Sequence, residues 1–238
     1  MAPKPSLLFP FYIYPNADWV TLANIKKSTG TNVIVVINPA SGSVSTTDPN
    51  YVQGIKNLQA AGILVLGYIN TDRGNVSPAI VETQMGYYKN EYAVNGIFFD
   101  NMSVYSNEIE YYSGLAQSAK NFGFSHTAGN PGSSCDLGYT GVFTILNTYE
   151  NAGLPSLTEI QSVCPLPQSQ KYSITCHDTP SVSESYVLGI ALYASYCFFT
   201  DQTEPNPYDR LPSYFSQEMA LLQPVATSIT LEVTSSHL

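Results

Sequence analysis

The stretch Gly96-Ile97-Phe98-Phe99-Asp100-Asn101 decides the fold that the sequence predicts. A short run of aromatic and β-branched side chains is typical of a strand that is covered on both faces. The apolar run stops at Asp100, in a chain of 238 residues of which only 11% are charged. Catalytic side chains of α/β proteins lie at the carboxyl ends of buried strands, so Asp100 is a candidate acid or nucleophile. Capping the helix that follows is the alternative role, and this stretch alone does not decide between them.

Seven further strand-like runs repeat this pattern along the chain, and segments with helical spacing, such as Trp19, Leu22 and Ile25, lie between them. We place the eight strands at residues 7–14, 33–37, 63–69, 94–99, 125–128, 142–146, 172–176 and 196–199. Strands separated by helices pair in parallel through right-handed crossovers, and we count eight strand–helix units. The sequence therefore predicts a single domain over residues 1–238, an α/β fold of the (β/α)₈ TIM barrel type.

Composition limits the classes of partner. The formal net charge is −9 and the sequence pI is about 4.6, which argues against nucleic acid and anionic membranes and weakly favours a cationic ligand. No run approaches the roughly 18 apolar residues of a membrane span.

The sequence has four cysteines, and no two of them form a Cys-x-x-Cys motif. Three disulfide pairings of the four remain open. We expect a monomer.

The first residues do not resemble a signal peptide, because Pro10 and Pro15 interrupt the apolar run and no small-residue cleavage site follows. Either the protein stays inside the cell or the given chain begins after a removed leader. We expect the second, and therefore a secreted or cell-wall protein.

The loops that follow the strands of such a barrel gather at one end, which we call the mouth, and chemistry takes place there. Aromatic, amide, carboxylate and histidine side chains mark the predicted strand ends: Tyr12, Tyr14, Asn38, Tyr68, Asp100, Asn101, Asn130, Glu150, His177 and Asp201. The sequence contains no Gly-x-Ser-x-Gly, no His-Glu-x-x-His and no phosphate-binding glycine-rich loop. We expect neither a metal nor a cofactor.

Two carboxylates at strand ends, with tyrosines for stacking and amides for hydroxyl groups, are typical of a glycoside hydrolase. Asp100 and Glu150 follow the fourth and sixth strands, and alternate strands point side chains inward at similar depth. One carboxyl group would protonate the leaving oxygen while the other attacks the sugar or activates water. Simpler roles remain open: Glu150 as a solvated loop residue, His177 as a structural side chain and Asp201 as a loop anchor.

Several segments, in the same order and spread from Leu7 to Met219, resemble the spherulin-4 family. These segments are Phe11-Tyr-Ile-Tyr-Pro15, Val35-Val-Ile-Asn-Pro39 with Ser41-Gly42, Leu66-Gly-Tyr68, Gly96-Ile-Phe-Phe-Asp100, Asn130-Pro-Gly132 and Asn206-Pro-Tyr-Asp-Arg-Leu-Pro-Ser-Tyr214. The resemblance implies a (β/α)₈ barrel and endo-acting hydrolysis of α-1,4-linked N-acetylgalactosamine in secreted microbial galactosaminogalactan. It also implies a catalytic Asp that matches Asp100 and a catalytic Glu that aligns with Glu150.

One position departs from the family pattern. The family usually has Glu directly after the strand-four Asp, whereas this chain has Asn101. An amide binds a sugar hydroxyl but cannot ionise or transfer a proton. Two hypotheses follow: a glycosidase that uses Asp100 and Glu150, or a non-catalytic carbohydrate-binding, cell-wall or spore-coat protein. On the first hypothesis, Asn101→Glu is expected to raise turnover and to change stability little.

Overall fold

Eight parallel strands close into a barrel in the order of the sequence, in a computed structural model that describes residues 3–39 and 46–224. The strands are β1 (Ser6–Pro10), β2 (Val33–Ile37), β3 (Leu64–Asn70), β4 (Gly96–Asp100), β5 (His126–Gly129), β6 (Ile145–Ala152), β7 (Tyr172–His177) and β8 (Tyr196–Phe199). The predicted (β/α)₈ barrel is confirmed. The Ser41-Gly42 motif and the two ends of the predicted domain, residues 1–2 and 225–238, lie outside the described residues.

Seven α-helices surround the barrel within the described ranges. They are α1 (Ala17–Thr29), α2 (Pro49–Ala60), α3 (Pro78–Tyr87), α4 (Ile109–Asn121), α5 (Leu157–Val163), α6 (Glu184–Ile190) and α7 (Phe215–Leu221). The prediction of eight strand–helix units is wrong at the fifth unit, where a 3₁₀ turn, Leu137–Gly141, connects β5 to β6. Pro131 and several glycines occupy this short connection, and both residue types disfavour a regular helix.

Two separate apolar cores hold the barrel together. The larger one lies between the strands and the helices and includes Phe9, Ile97 and Phe99. The smaller one fills the barrel interior with Leu8, Ile34, Val36, Leu66, Phe98, Ala128 and Ile145. Because side chains alternate along a strand, the inward position of Phe98 places Asp100 inside the barrel at the mouth.

Gly96 opens β4 because the neighbouring strand comes too close for any side chain. A Cβ atom at this position would lie 2.2 Å from the carbonyl oxygen of His126 on β5. Hard contacts of that length do not occur in folded proteins, so the pairing of β4 with β5 requires glycine here.

An irregularity in β6 decides where Glu150 points. Ile145 lies in the barrel interior, so strict alternation would turn Glu150 towards the helices. The pairing with β7 shifts between Asn147 and Tyr149, which is the signature of a β-bulge. After the bulge, Tyr149 packs in the outer core and Glu150 lies opposite Thr175. Glu150 is thus a strand residue that faces inward, not the loop residue that the sequence suggested.

All four cysteines carry free thiols; Cys164, Cys176 and Cys197 are buried and Cys135 is half-buried. In the described part of the chain, no helix is long and apolar enough to cross a membrane. The same residues contain no group of His, Cys, Asp or Glu side chains with the arrangement of a metal site.

Candidate active site

Asp100 and Glu150 are linked through one amide at the floor of the mouth. The Nδ2 atom of Asn130, which directly follows β5, donates to Asp100 Oδ1 and to Glu150 Oε2, each at 2.7 Å. The strands β4, β5 and β6 are neighbours in the barrel, so Asp100, Asn130 and Glu150 lie at the ends of three adjacent strands. The structure therefore brings together the two carboxylates that the sequence singled out.

The orientation of the Asn130 amide is fixed from its other side. Its Oδ1 atom accepts a hydrogen bond from the Gly132 backbone N–H at 3.0 Å and from Asn147 Nδ2 at 2.9 Å. Thr175 Oγ1 donates in turn to Asn147 Oδ1 at 3.2 Å. With its oxygen occupied, Asn130 presents both N–H groups to the carboxylates, which is the arrangement that two acceptors require.

The shared donor limits the distance between the carboxylates. Since both bonds are 2.7 Å long and start from one nitrogen, Asp100 Oδ1 and Glu150 Oε2 lie at most about 5.4 Å apart. Retaining glycosidases separate their two carboxyl groups by about 5–5.5 Å, whereas inverting enzymes need about 6.5–9.5 Å to admit a water molecule. An upper limit of about 5.4 Å between these two oxygens lies below the separation that inverting enzymes need.

Burial raises the pKa of Glu150, and the negative charge of Asp100 adds to the increase. Hydrogen bonds from Tyr208 and Asn130 and the nearby His177 oppose it. The Tyr208 hydroxyl donates to Glu150 Oε1 at 2.6 Å. A carboxyl group whose pKa is raised keeps its proton closer to neutral pH, which suits Glu150 to the role of general acid.

Three tyrosines surround the carboxylates. The ring of Tyr12 makes edge contacts with those of Tyr68 and Tyr208, at centroid distances of 5.7 and 5.8 Å. Burial and the nearby Asp100 carboxylate together raise the pKa of Tyr68. Burial and the two carboxylates together raise the pKa of Tyr12, so this phenol stays neutral. The site therefore combines two acids with aromatic surfaces.

Backbone strain is concentrated at the mouth. Among residues 3–39 and 46–224, five residues other than glycine have a positive φ, and four of them, Asp72, Arg73, Asn101 and Asp178, lie in loops that follow β3, β4 and β7. The left-handed conformation is unfavourable for residues with a Cβ atom, and such strain is typical of functional loops. Asn tolerates this conformation better than most residues, which gives Asn101 a backbone role.

The remaining predicted residues lie at varying distances from the pair. His177 ends β7; its Nε2 atom is 3.6 Å from Glu204 Oε1, and its buried Nδ1 atom has no hydrogen-bond partner among the described residues. Asn38 follows β2 at the mouth and is half-buried. The exposed Asn101 makes no hydrogen bond with Glu150, and its Nδ2 atom lies 3.5 Å from Asn70 Oδ1.

Two of the predicted site residues, Tyr14 and Asp201, form hydrogen bonds with loop and helix residues away from the carboxylate pair. The Tyr14 hydroxyl donates to Asp48 Oδ2 at 3.0 Å and accepts from Asn50 Nδ2 at 2.7 Å, which attaches it to the start of α2. Asp201 Oδ1 accepts from the Ser213 backbone N–H at 3.1 Å, so it anchors the loop after β8. The anchoring role that the sequence left open for Asp201 is therefore present in the structure.

The charge of the protein is distributed unevenly between its two ends. Seven of the eight aspartates lie at strand ends or in the loops that follow them: Asp48, Asp72, Asp100, Asp136, Asp178, Asp201 and Asp209. All seven lysines lie on helices or before strands begin: Lys4, Lys26, Lys27, Lys56, Lys89, Lys120 and Lys171. Both arginines, Arg73 and Arg210, also lie in these loops, so seven aspartates against two arginines leave the mouth negatively charged, and this charge attracts cations.

Fold and site together define an α/β barrel protein with a pair of carboxylates at its mouth. The chain belongs to the family described as Spherulation-specific family 4, which its residues 6–222 match. It is 33% identical to spherulin-4 of Physarum polycephalum over 227 residues, which cover 89% of this chain and 68% of spherulin-4.

Solved structures share the barrel. Sph3 of Aspergillus clavatus, in complex with GalNAc, superposes with a TM-score of 0.83 at 22% identity, covering 93% of this chain and 98% of Sph3. A β-mannanase of Thermomonospora fusca in complex with mannotriose has a TM-score of 0.55 at 12% identity, covering 90% of this chain and 84% of the mannanase. Both comparisons show a shared barrel fold.

Proposed function

We propose that the protein is a retaining glycoside hydrolase that cleaves internal α-1,4 bonds between N-acetylgalactosamine units of a galactosaminogalactan-type polysaccharide. The observation that supports this most is the Asn130 amide, which joins two inward-facing carboxylates whose bonded oxygens lie closer together than inverting enzymes require. Membership of the spherulin-4 family and the similarity to a GalNAc-bound barrel support the choice of sugar.

Asp100 and Glu150 take different roles in this proposal. Glu150, whose pKa is raised, donates its proton to the leaving oxygen, and Asp100 attacks the anomeric carbon to form a glycosyl-enzyme. Water then attacks this intermediate while Glu150 removes its proton, so the enzyme returns to its starting state. Asn130 holds both carboxylates in position, and Tyr12 and Tyr68 provide surfaces for the sugar.

The negatively charged mouth supports a polymer that carries some free amino groups, because ammonium groups on the chain would be attracted to it. We expect kcat/KM for a partly deacetylated polymer to fall as ionic strength rises from low to physiological values, since salt screens such attraction. A fully acetylated polymer provides the control and should show little dependence on salt. Equal salt dependence of both polymers would contradict a role of charge in recruitment.

Because galactosaminogalactan-type polymers are extracellular, the proposal includes secretion of this protein.

Incubation of the purified protein with galactosaminogalactan tests the function. We expect oligosaccharides with new reducing ends to be released by the wild type and not by Glu150→Gln. Binding of the polymer without release, by a wild-type protein shown to be folded, would instead support the carbohydrate-binding alternative that Asn101 suggests. Binding and release both absent would reject the two functions together.

Tyr208→Phe tests the control of the proton donor. This variant removes the hydroxyl that donates to Glu150 Oε1 and opposes the rise of its pKa. The pKa of Glu150 is therefore expected to rise further, which moves the basic limb of the pH–rate profile to higher pH. The lost hydrogen bond should lower the free energy of unfolding by about 1 kcal/mol. A basic limb at the wild-type position would show that Tyr208 does not influence the acid.

Asn101→Glu restores the residue that the family usually has. Turnover is expected to rise, or the acid limb of the pH–rate profile to shift, because a second carboxylate would lie beside Asp100. The structure adds a cost that the sequence did not reveal: Asn101 has φ 49°, where Glu is less favourable by about 1 kcal/mol. We expect the Tm to fall by about 2–4 °C. Asn101→Gln, with the same backbone cost but no charge, is the matched control, and equal turnover of the two variants would exclude this position from the chemistry.

A further inference from the structure

A cavity of about 460 Å³ lies among the loops at the mouth. Its lining includes Asn101 and Pro131, which directly follow Asp100 and Asn130 in the chain. Loops after β3, β4 and β5 contribute its walls. Its volume is within the range of small-molecule sites. The link to the carboxylate pair is through Asn101 and Pro131, the chain neighbours of Asp100 and Asn130.

One wall of the cavity is the ring of Tyr105, which is 71% exposed and makes no ring contact within the described ranges. The backbone that carries this ring is firmly held. Its carbonyl oxygen accepts a hydrogen bond from the buried Tyr139 hydroxyl at 2.7 Å, and its N–H donates to Ser103 Oγ at 3.3 Å. An exposed aromatic ring on a fixed backbone offers contact area at low conformational cost.

Two charged residues of the cavity lining supply different hydrogen-bonding groups: one supplies donors and the other acceptors. Arg73 provides donors only, and its exposed side chain forms no ion pair with the described acidic residues. Glu108 provides acceptors, and one of its oxygens accepts from Asn107 Nδ2 at 2.8 Å. A sugar ring has an apolar face and hydroxyl groups that both donate and accept, so it complements an aromatic ring flanked by these two groups.

Hydrogen bonds also connect the loops that form the cavity. The Arg73 backbone N–H donates to the Asn101 carbonyl oxygen at 2.7 Å, and Thr71 Oγ1 donates to the Asp100 carbonyl oxygen at 2.9 Å. Arg73 and Asn101 both have a left-handed backbone. The cavity therefore exists before any ligand binds, which reduces the cost of binding.

We propose that this cavity is a second sugar-binding subsite, in which Tyr105 stacks on a pyranose ring one or more units away from the cleaved bond while Arg73 and Glu108 bind its polar substituents. The proposal rests on the glycan-binding function proposed above. It explains how a chain, rather than a single sugar, is held across the carboxylate pair.

Binding measured in the Glu150→Gln background tests the subsite without turnover. The probes are an α-1,4-linked N-acetylgalactosamine oligosaccharide and the monosaccharide, with Kd determined by calorimetry. Tyr105→Ala is expected to weaken oligosaccharide binding by about 3–10-fold and to leave monosaccharide binding unchanged. Tyr105→Phe, which keeps the ring, and Leu192→Ala, an exposed residue outside the cavity, should both retain the affinity of the background protein.

Each outcome decides the proposal. Equal oligosaccharide affinity of Tyr105→Ala and the background protein would overturn it, as would the absence of oligosaccharide binding or an equal loss for both probes. Hydrolysis by the wild type combined with an unchanged Kd in Tyr105→Ala would reject the subsite and leave the hydrolase standing. A weakened Kd with no hydrolysis by the wild type would support the subsite and reject the hydrolase.

Discussion

Replacement of Glu150 by glutamine is expected to lower kcat on the polysaccharide by about 10²–10⁴-fold. Glutamine has nearly the same shape but cannot give a proton to the leaving oxygen. The fold should survive, because a glutamine can accept from Asn130 with its oxygen while its amide donates to the Tyr208 hydroxyl. A substrate with an activated leaving group needs no acid, so the variant should release such a group from the sugar much better than it cleaves the polymer.

The same variant should show a particular dependence of stability on pH. The pKa of Glu150 is raised in the folded state, so the wild type loses stability as pH rises from the unfolded value of about 4.3 through the folded value. Glutamine does not ionise and avoids this loss. The Tm of Glu150→Gln relative to the wild type should therefore be higher at about pH 8 than at about pH 4. A relative Tm that falls over this interval would contradict a raised pKa of Glu150.

Replacement of Asp100 by asparagine is expected to have the larger effect, a loss of about 10⁴-fold or more in kcat. Glycosyl transfer to the enzyme requires a carboxylate, and an amide oxygen is a far weaker nucleophile. An activated leaving group should not rescue this variant, because the missing group is the nucleophile and not the acid. This contrast with Glu150→Gln assigns the two roles.

The control for Asp100→Asn is its fold. Asparagine can still accept from Asn130, so the Tm should stay close to that of the wild type. Turnover within tenfold of the wild type would remove Asp100 from the chemistry. Rescue by the activated substrate in Asp100→Asn, but not in Glu150→Gln, would exchange the roles of the two residues.

The barrel and the position of Asp100 follow from local pattern. The apolar run of β4 and the alternation around Phe98 are properties of neighbouring residues, so the sequence alone predicts an inward-facing carboxylate at the mouth. The sequence places Glu150 at the mouth only as a residue that follows the sixth strand. Its inward direction depends on the bulge between Asn147 and Tyr149, which arises from pairing with β7 and leaves no local signature.

Contacts between distant loops account for what the sequence did not reveal. Tyr208 lies 58 residues after Glu150, so its hydrogen bond has no local pattern, although Tyr208 belongs to a segment that carries the family resemblance. The bridging role of Asn130 required knowledge of two neighbouring strands and of Asn147. Side chains that only hold the two carboxylates in place are therefore the hardest part of the site to predict.

The configuration of the first product at its new reducing end tests the paired carboxylates most directly. Proton NMR of the reaction in its first minutes distinguishes the α from the β anomer before the two interconvert. Since Asn130 holds Asp100 Oδ1 and Glu150 Oε2 at most about 5.4 Å apart, we expect the α configuration of the substrate to be retained. A β anomer as the first product, or no product from the folded protein, would contradict a retaining mechanism at this pair.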